Sequence, residues 1–193
     1  MAMGFFAGMI AGEMTDTNHV GMIAAFEWQP EVEGFYEGVT YQNQNADVSI
    51  QYVNSWNEKG LAMEYYEKMK KADVDIFYPA GDAYSVPIIE AAKNDGLSSI
   101  GYVNDQASVG GNSVLTSTVQ HVDKLYRFAI EQLQNGQLAG DVYTYGFDEE
   151  VISMGQYSDR VPHPLQEEVK RAVSNYKESG LLPNQIEDHT GQP

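Results

Sequence analysis

The 193-residue sequence predicts an α/β fold in which a parallel sheet is flanked by helices, and three observations predict it. Short apolar runs rich in Val, Ile, Phe and Tyr recur along the first half of the chain. Each is separated from the next by a stretch whose apolar residues fall at helical spacing. Helices of that length between strands specify right-handed βαβ crossovers. The hydrophobic content of 42% suits a soluble globule with one good core or two small ones.

Phe5 to Met14 places small and large apolar residues together, with Gly8 and Gly12 permitting close backbone contact, and predicts a buried helix. Val20 to Phe26 is a nearly continuous apolar run, as expected for a strand covered on both faces. Pro30 suits a first helical turn, and Val32, Phe35, Tyr36 and Val39 mark the stripe of that helix. Further strands are expected at Val48–Val53, Val74–Tyr78 and Ser99–Val103, with helices at Glu58–Lys71 and Ala83–Asp95, the latter closed by Gly96.

Ala107 to Ser113 reads as a loop or crossover and sets a lobe boundary near residue 110. Residues 1–110 then form one α/β lobe. Residues 111–193 supply a crossover, a remnant of the other lobe and a returning helix. Within that remnant the pattern predicts strands at Val114–Ser117 and Asp141–Tyr145, helices at Val119–Asn135 and Pro164–Ser179, and a loose polar end from Glu187. Because Met1 opens straight into a helical pattern, the chain is expected to be the C-terminal part of a longer protein.

Charge narrows the function. Eleven Lys and Arg against 28 Asp and Glu give a net charge of −17, which opposes contact with a phosphate backbone. Direct nucleic-acid binding is therefore not expected. The absence of cysteine removes disulfides, thiolate metal sites and a cysteine nucleophile together. No apolar stretch approaches the roughly 20 residues of a spanning helix. The phosphate-loop, GxSxG, HExxH and GxGxxG signatures are missing, and His19, His121, His163 and His189 lack ligand spacing. No catalytic residue, metal or cofactor is expected. Asp148-Glu149-Glu150 reads better as a solvated loop than as an acid–base pair, since neighbours in extended chain point to opposite faces.

In an open parallel sheet, ligands dock beyond the carboxyl ends of the strands. The segments there are Phe26-Glu27-Trp28, Asn54-Ser55-Trp56, Ala80-Gly81-Asp82 and Asn104-Asp105-Gln106. An aromatic ring, a glycine and carboxylates together suit a planar, hydroxyl-bearing small molecule, which the ring stacks and the carboxylates hold by its hydroxyls. Each residue also has a plainer reading. Trp56 can cap the edge of the core, Asp105 can cap a turn, and Gly81 can serve strand-to-helix turn chemistry. Joint placement at strand ends favours a ligand site.

Several segments carry a resemblance. Phe6 to Gly12 followed by Met14 to Gly21, Phe35-Tyr-Glu-Gly38, Ala80-Gly81, Gly101 to Gln106, and Val114-Leu-Thr-Ser117 with Val122-Asp123 form a set spread along nearly the whole chain. As a set they are similar to motifs of the basic-membrane-protein, or PnrA-like, family of solute receptors. The resemblance implies a type I periplasmic-binding-protein-like α/β architecture whose N-terminal lobe is largely missing here. It implies that Trp56 stands where the family stacks a base, that Asp105 stands where a family aspartate binds ligand, and that Gln120 replaces a family lysine. Phe26 and Gly81 join them from the strand-end reading. With Glu58 replacing an aspartate, these departures resemble the family's regulatory, Med-like branch. The implied partners are a nucleoside-like ligand and either an ABC transporter or a regulatory protein. A lipid anchor outside this chain is the implied link to the outer face of the cell membrane.

Overall fold

The computed structural model describes residues 1–190, with side chains described to residue 186. In chain order the elements are α1 (Ala2–Met14), β1 (His19–Ala24), α2 (Pro30–Gln42), β2 (Asp47–Tyr52), α3 (Lys59–Lys70), β3 (Ile76–Ala80), α4 (Ser85–Asn94) and β4 (Ser98–Gly101). A four-residue helix α5 (Ala107–Gly110) and a 3-10 turn at Gly111–Ser113 lead into β5 (Val114–Gln120). Then come α6 (Val122–Gln134), β6 (Ile152–Met154), α7 (His163–Ser179) and α8 (Pro183–Thr190). The six strands form one sheet in the order β2-β1-β3-β4-β5-β6. Its first five strands are parallel, and β6 runs antiparallel to β5 with Thr118 opposite Met154 and Gln120 opposite Ile152.

Alternation along the strands feeds two cores. Met22 of β1 and Tyr78 of β3 enter the core covered by α1, α2 and α7, with Phe5, Phe6, Met9, Phe35, Leu165 and Val169. Ile23 and Phe77, their sequence neighbours, enter the opposite core with Tyr66, Met69, Tyr84 and Ile88. The helix α1 is buried from Ala2 to Gly12, because the sheet, α2 and α7 surround it. Glycines make that approach possible. A Cβ on Gly4 would lie 2.6 Å from the Glu31 carbonyl oxygen, and on Gly8 or Gly38 closer still to the backbone of the facing helix.

Three expectations need correction. Asp141–Tyr145 is not a strand: Val142 is 89% exposed and no neighbouring strand pairs with the segment, so its β-forming residues have nothing to hydrogen-bond. The strand in this region is β6, which reaches an existing edge. Thr118 to Gln120 therefore extend β5 where a helix was expected from Val119, and α6 begins at Val122. The stretch read as a loop at Ala107–Ser113 is two short helical turns. Gly180 ends α7 with φ 71, the left-handed cap expected of glycine. Of the polar end, residues 191–193 lie outside the described residues, as do the side chains from Glu187.

Candidate ligand site at the carboxyl ends of the strands

The strand order places β1 and β3 side by side while their following helices lie on opposite faces, as the two separate cores show. That is the switch point at which open α/β sheets leave a crevice for ligands. The chain leaving β1 stays tied to the sheet for one more residue, since the Ala25 N–H donates to the Ala80 carbonyl. Beyond it Phe26 and Trp28 stack with centroids 5.2 Å apart and planes 14° from parallel. Trp56, from the loop after β2, meets both rings edge to face, at 5.5 Å from Phe26 and 6.1 Å from Trp28. Such pairs contribute roughly 0.5–1.5 kcal/mol each beyond their buried area. Trp28 nonetheless remains 69% exposed.

The loops are braced by polar groups. The Ala83 N–H donates to the Trp56 carbonyl at 3.0 Å, which joins the loops after β2 and β3. Gln29, only 3% exposed, accepts from the Phe26 N–H at 2.8 Å and donates to the Ala80 carbonyl and the Tyr102 hydroxyl. Gln106 accepts from the Tyr102 N–H at 2.8 Å and donates to the Ser85 hydroxyl, tying the ends of β4 to α4. Burial, then the nearby Glu31 carboxylate, pushes the Tyr102 hydroxyl well above the usual phenol range. Burial and then the Glu27 carboxylate do the same, more mildly, for Tyr52.

The predicted residues separate into groups. Phe26 and Trp56 share the aromatic cluster, and Gly81 lies in the adjoining loop. Gly81 is fixed by packing: the Tyr84 ring lies where a Cβ would stand. Gln120 lies at the end of β5, where its N–H donates to the Val103 carbonyl and its side-chain amide reaches the Glu31 carboxylate at 3.5 Å. The Asp105 carboxylate turns toward β5 and β6. Its oxygens accept from the Ala107 N–H at 3.2 Å, the Ser117 hydroxyl at 3.4 Å and the Gln156 N–H at 2.9 Å. Asp105 thus caps a turn, as its plainer reading holds, and also latches the segment after β6 to the sheet.

Sequence reasoning missed Gln29, Glu31 and Tyr102. A glutamine before a proline carries no signal of burial, whereas Tyr102 lay within a quoted motif and could have been found from its position after β4. His19 and His121 are held by Ala72 and Ser49 and by Ser153, respectively. Among the described residues, no group of three or more His, Asp or Glu could hold a metal. Among them, too, no helix is long and apolar enough to cross a membrane.

Comparison with known proteins agrees with this architecture. The family model described as ABC transporter substrate-binding protein PnrA-like matches residues 1–185. The transcriptional activator protein med of Bacillus subtilis is 46% identical over 182 residues, covering 94% of this chain and 57% of that protein. Basic membrane protein D of Borreliella burgdorferi is 29% identical over 180 residues, covering 90% of this chain and 50% of that one. A crystal structure of a transcriptional activator of the comK gene from Bacillus halodurans superposes with a TM-score of 0.90 at 46% identity, over 94% of this chain and 64% of that chain. A solute-binding protein of an ABC transporter system from Aeropyrum pernix reaches 0.72 at 19% identity, over 96% of this chain and 54% of that chain, a likeness of fold alone. The chain spans about half the length of the curated relatives it matches.

Proposed function

The chain belongs to the PnrA-like family of ABC transporter substrate-binding proteins, and we propose that it is the ligand-binding part of a Med-like positive regulator that receives a nucleoside-like solute. The observation that carries this reading is the aromatic cluster of Phe26, Trp28 and Trp56 at the switch point between β1 and β3. An aromatic face gives base stacking, and the exposed Asp82 and the buried Gln29 and Tyr102 beside it offer partners to hydroxyl groups.

The solute binds between this face and a second lobe and shifts an open–closed population, without covalent chemistry. Residues 111–193 supply the crossover, a remnant of that second lobe and the returning helix, and α6 supports this reading. Leu125, Tyr126, Ile130 and Leu133 of that helix are exposed, a face that the remaining length of the relatives is suited to cover. In the cell the full protein sits at the outer face of the membrane through a lipid anchor, and it acts on transcription through a protein partner. The family description, ABC transporter substrate-binding protein PnrA-like, favours a second reading, the substrate-binding component of an ABC nucleoside transporter.

Thermal-shift and native mass-spectrometric screens with a nucleoside panel test the reading. They are run on this chain and on a chimera that adds the rest of the Bacillus halodurans relative. Stabilisation of the chimera by a nucleoside is expected. Indifference to the whole panel would refute solute reception, and transport of the bound solute in cells would favour the second reading.

A further inference from the structure

We infer that Glu31 sets the specificity of the strand-end face, its carboxylate taking two neighbouring hydrogen-bond donors of the solute, the paired N–H groups of a guanine edge or the cis-diol of a ribose; this rests on the reading of that face as the site of a nucleoside-like solute. Glu31 is only 7% exposed and lies in the first turn of α2, where the helix dipole favours a negative charge. Its surroundings leave it underused. The Gln120 amide reaches one oxygen at the long distance of 3.5 Å. Among the described residues the other oxygen accepts nothing, and no cation forms an ion pair with the group. The Met1 ammonium, which feels the Glu31 charge, is itself held below its usual range by burial. A carboxylate has room for about four hydrogen bonds, and burying one so sparsely bonded costs stability. A group retained at such a cost points to a partner that arrives from outside.

The carboxylate stands among the polar ends of the sheet. Gln120 closes β5, and Tyr102 follows β4 directly. Burial, and after it the Glu31 charge, raises the Tyr102 hydroxyl. That hydroxyl accepts from Gln29 at 3.3 Å and, among the described residues, has no acceptor for its own proton. Gln29 in turn accepts from the Phe26 N–H, which joins this polar corner to the aromatic cluster. The short segment from Phe26 to Glu31 thus supplies both a stacking ring and an acceptor. Two donors side by side match the two oxygens of a carboxylate as a single donor cannot, and the Tyr102 O–H is left to donate to an oxygen of the same solute.

Titration calorimetry on this chain and on the chimera uses three probes: guanosine, inosine, which lacks the amino group of guanine, and 2′-deoxyguanosine, which lacks one hydroxyl of the diol. Guanosine is expected to bind about tenfold or more tightly than the probe that misses a donor to Glu31, because a hydrogen bond to a charged group is lost. Weaker inosine assigns Glu31 to the base edge, and weaker 2′-deoxyguanosine assigns it to the sugar. Glu31→Gln keeps the shape and removes the charge, and its preference should fall to about twofold or less while circular dichroism confirms the fold. Gln120→Lys, which sets an ammonium beside the carboxylate, should erase the preference with Glu31 intact. Equal affinity for the three probes, or a preference that persists in both variants, overturns the inference and leaves the solute site standing. Binding of none of them by chain or chimera overturns the nucleoside reading of the face and the inference with it.

Discussion

The closest test of how this fold is assembled is Gly38→Ala at the crossing of α1 and α2. Alanine within a helix ordinarily gains up to about 1 kcal/mol over glycine, so helix propensity alone predicts a more stable protein. The structure predicts the reverse. The added Cβ at Gly38 would run into the carbonyl oxygen of Phe5, a fully buried residue of a helix that is itself enclosed by the sheet and α7. Neither partner is a flexible side chain, so the helices must separate, and overpacking of this kind costs roughly 1–3 kcal/mol. At the upper end of that range the net loss is about 2 kcal/mol, or a fall in Tm of about 4–8 °C for a chain of this size. Gly60→Ala is the control, because its nearest foreign atom is the mobile Glu58 Oε1 at 3.2 Å. It should raise Tm by about 2–4 °C. Differential scanning calorimetry of both variants decides. A Gly38→Ala protein more stable than the parent would refute the close glycine-mediated crossing and with it the packing account of α1.

Other expectations concern the site and its supports. Trp56→Ala should weaken binding of an aromatic solute by about 1–3 kcal/mol in titration calorimetry, with a smaller effect on Tm. Asp105→Ala removes the acceptor of the exposed Gln156 N–H, and stability should fall by about 0.5–1.5 kcal/mol in urea unfolding. Asp95 is held below the usual carboxylate range first by its hydrogen bond from Lys70 and then by that from Tyr66. The contribution of that depressed group is present above the unfolded value of 3.8 and is lost as pH falls through the lower folded value. Acid unfolding curves of Asp95→Asn should therefore flatten in that window, and an unchanged acid limb would remove Asp95 from the account. The purified chain should give no sequence-specific retardation of promoter DNA at roughly physiological salt, where specific binders typically reach 10⁻⁸ M or tighter.

Which parts of the fold could be read in advance follows from the range of the interactions involved. The first four strands and their helices were legible because each carries its own period, and β1 and β3 alternate Met22 with Ile23 and Phe77 with Tyr78 between two covered faces. The third strand was displaced by two residues, since Pro79 and Ala80 pair with Ile23 and Ala24 where local sequence suggested a turn. The region after Ser117 failed for a different reason. Thr118 to Gln120 are strand only because Ile152 to Met154 lie alongside, more than thirty residues later. Asp141–Tyr145 has better β-forming residues and no partner, so propensity pointed to the wrong segment.

The site shows the same division between position and connection. Topology fixes where a strand ends, so the sequence could bring Phe26, Trp56 and Gly81 to one edge of a parallel sheet. It could not say which hydrogen bonds the nearby polar groups would already have spent. Asp105 is the clearest case, because all its resolved bonds go to Ala107, Ser117 and Gln156, partners contributed by its own turn, by β5 and by the chain after β6. A ligand hydroxyl would have to share the carboxylate with these donors or displace one of them. Trp28 stands at the other extreme, with its neighbours satisfied by Gln29 and its own ring left exposed. Burying that ring offers a solute binding energy at little cost in new order, which is why a loss of solute binding on removing the Trp28 ring, rather than any loss at Asp105, is the more decisive measurement of whether this face receives a solute.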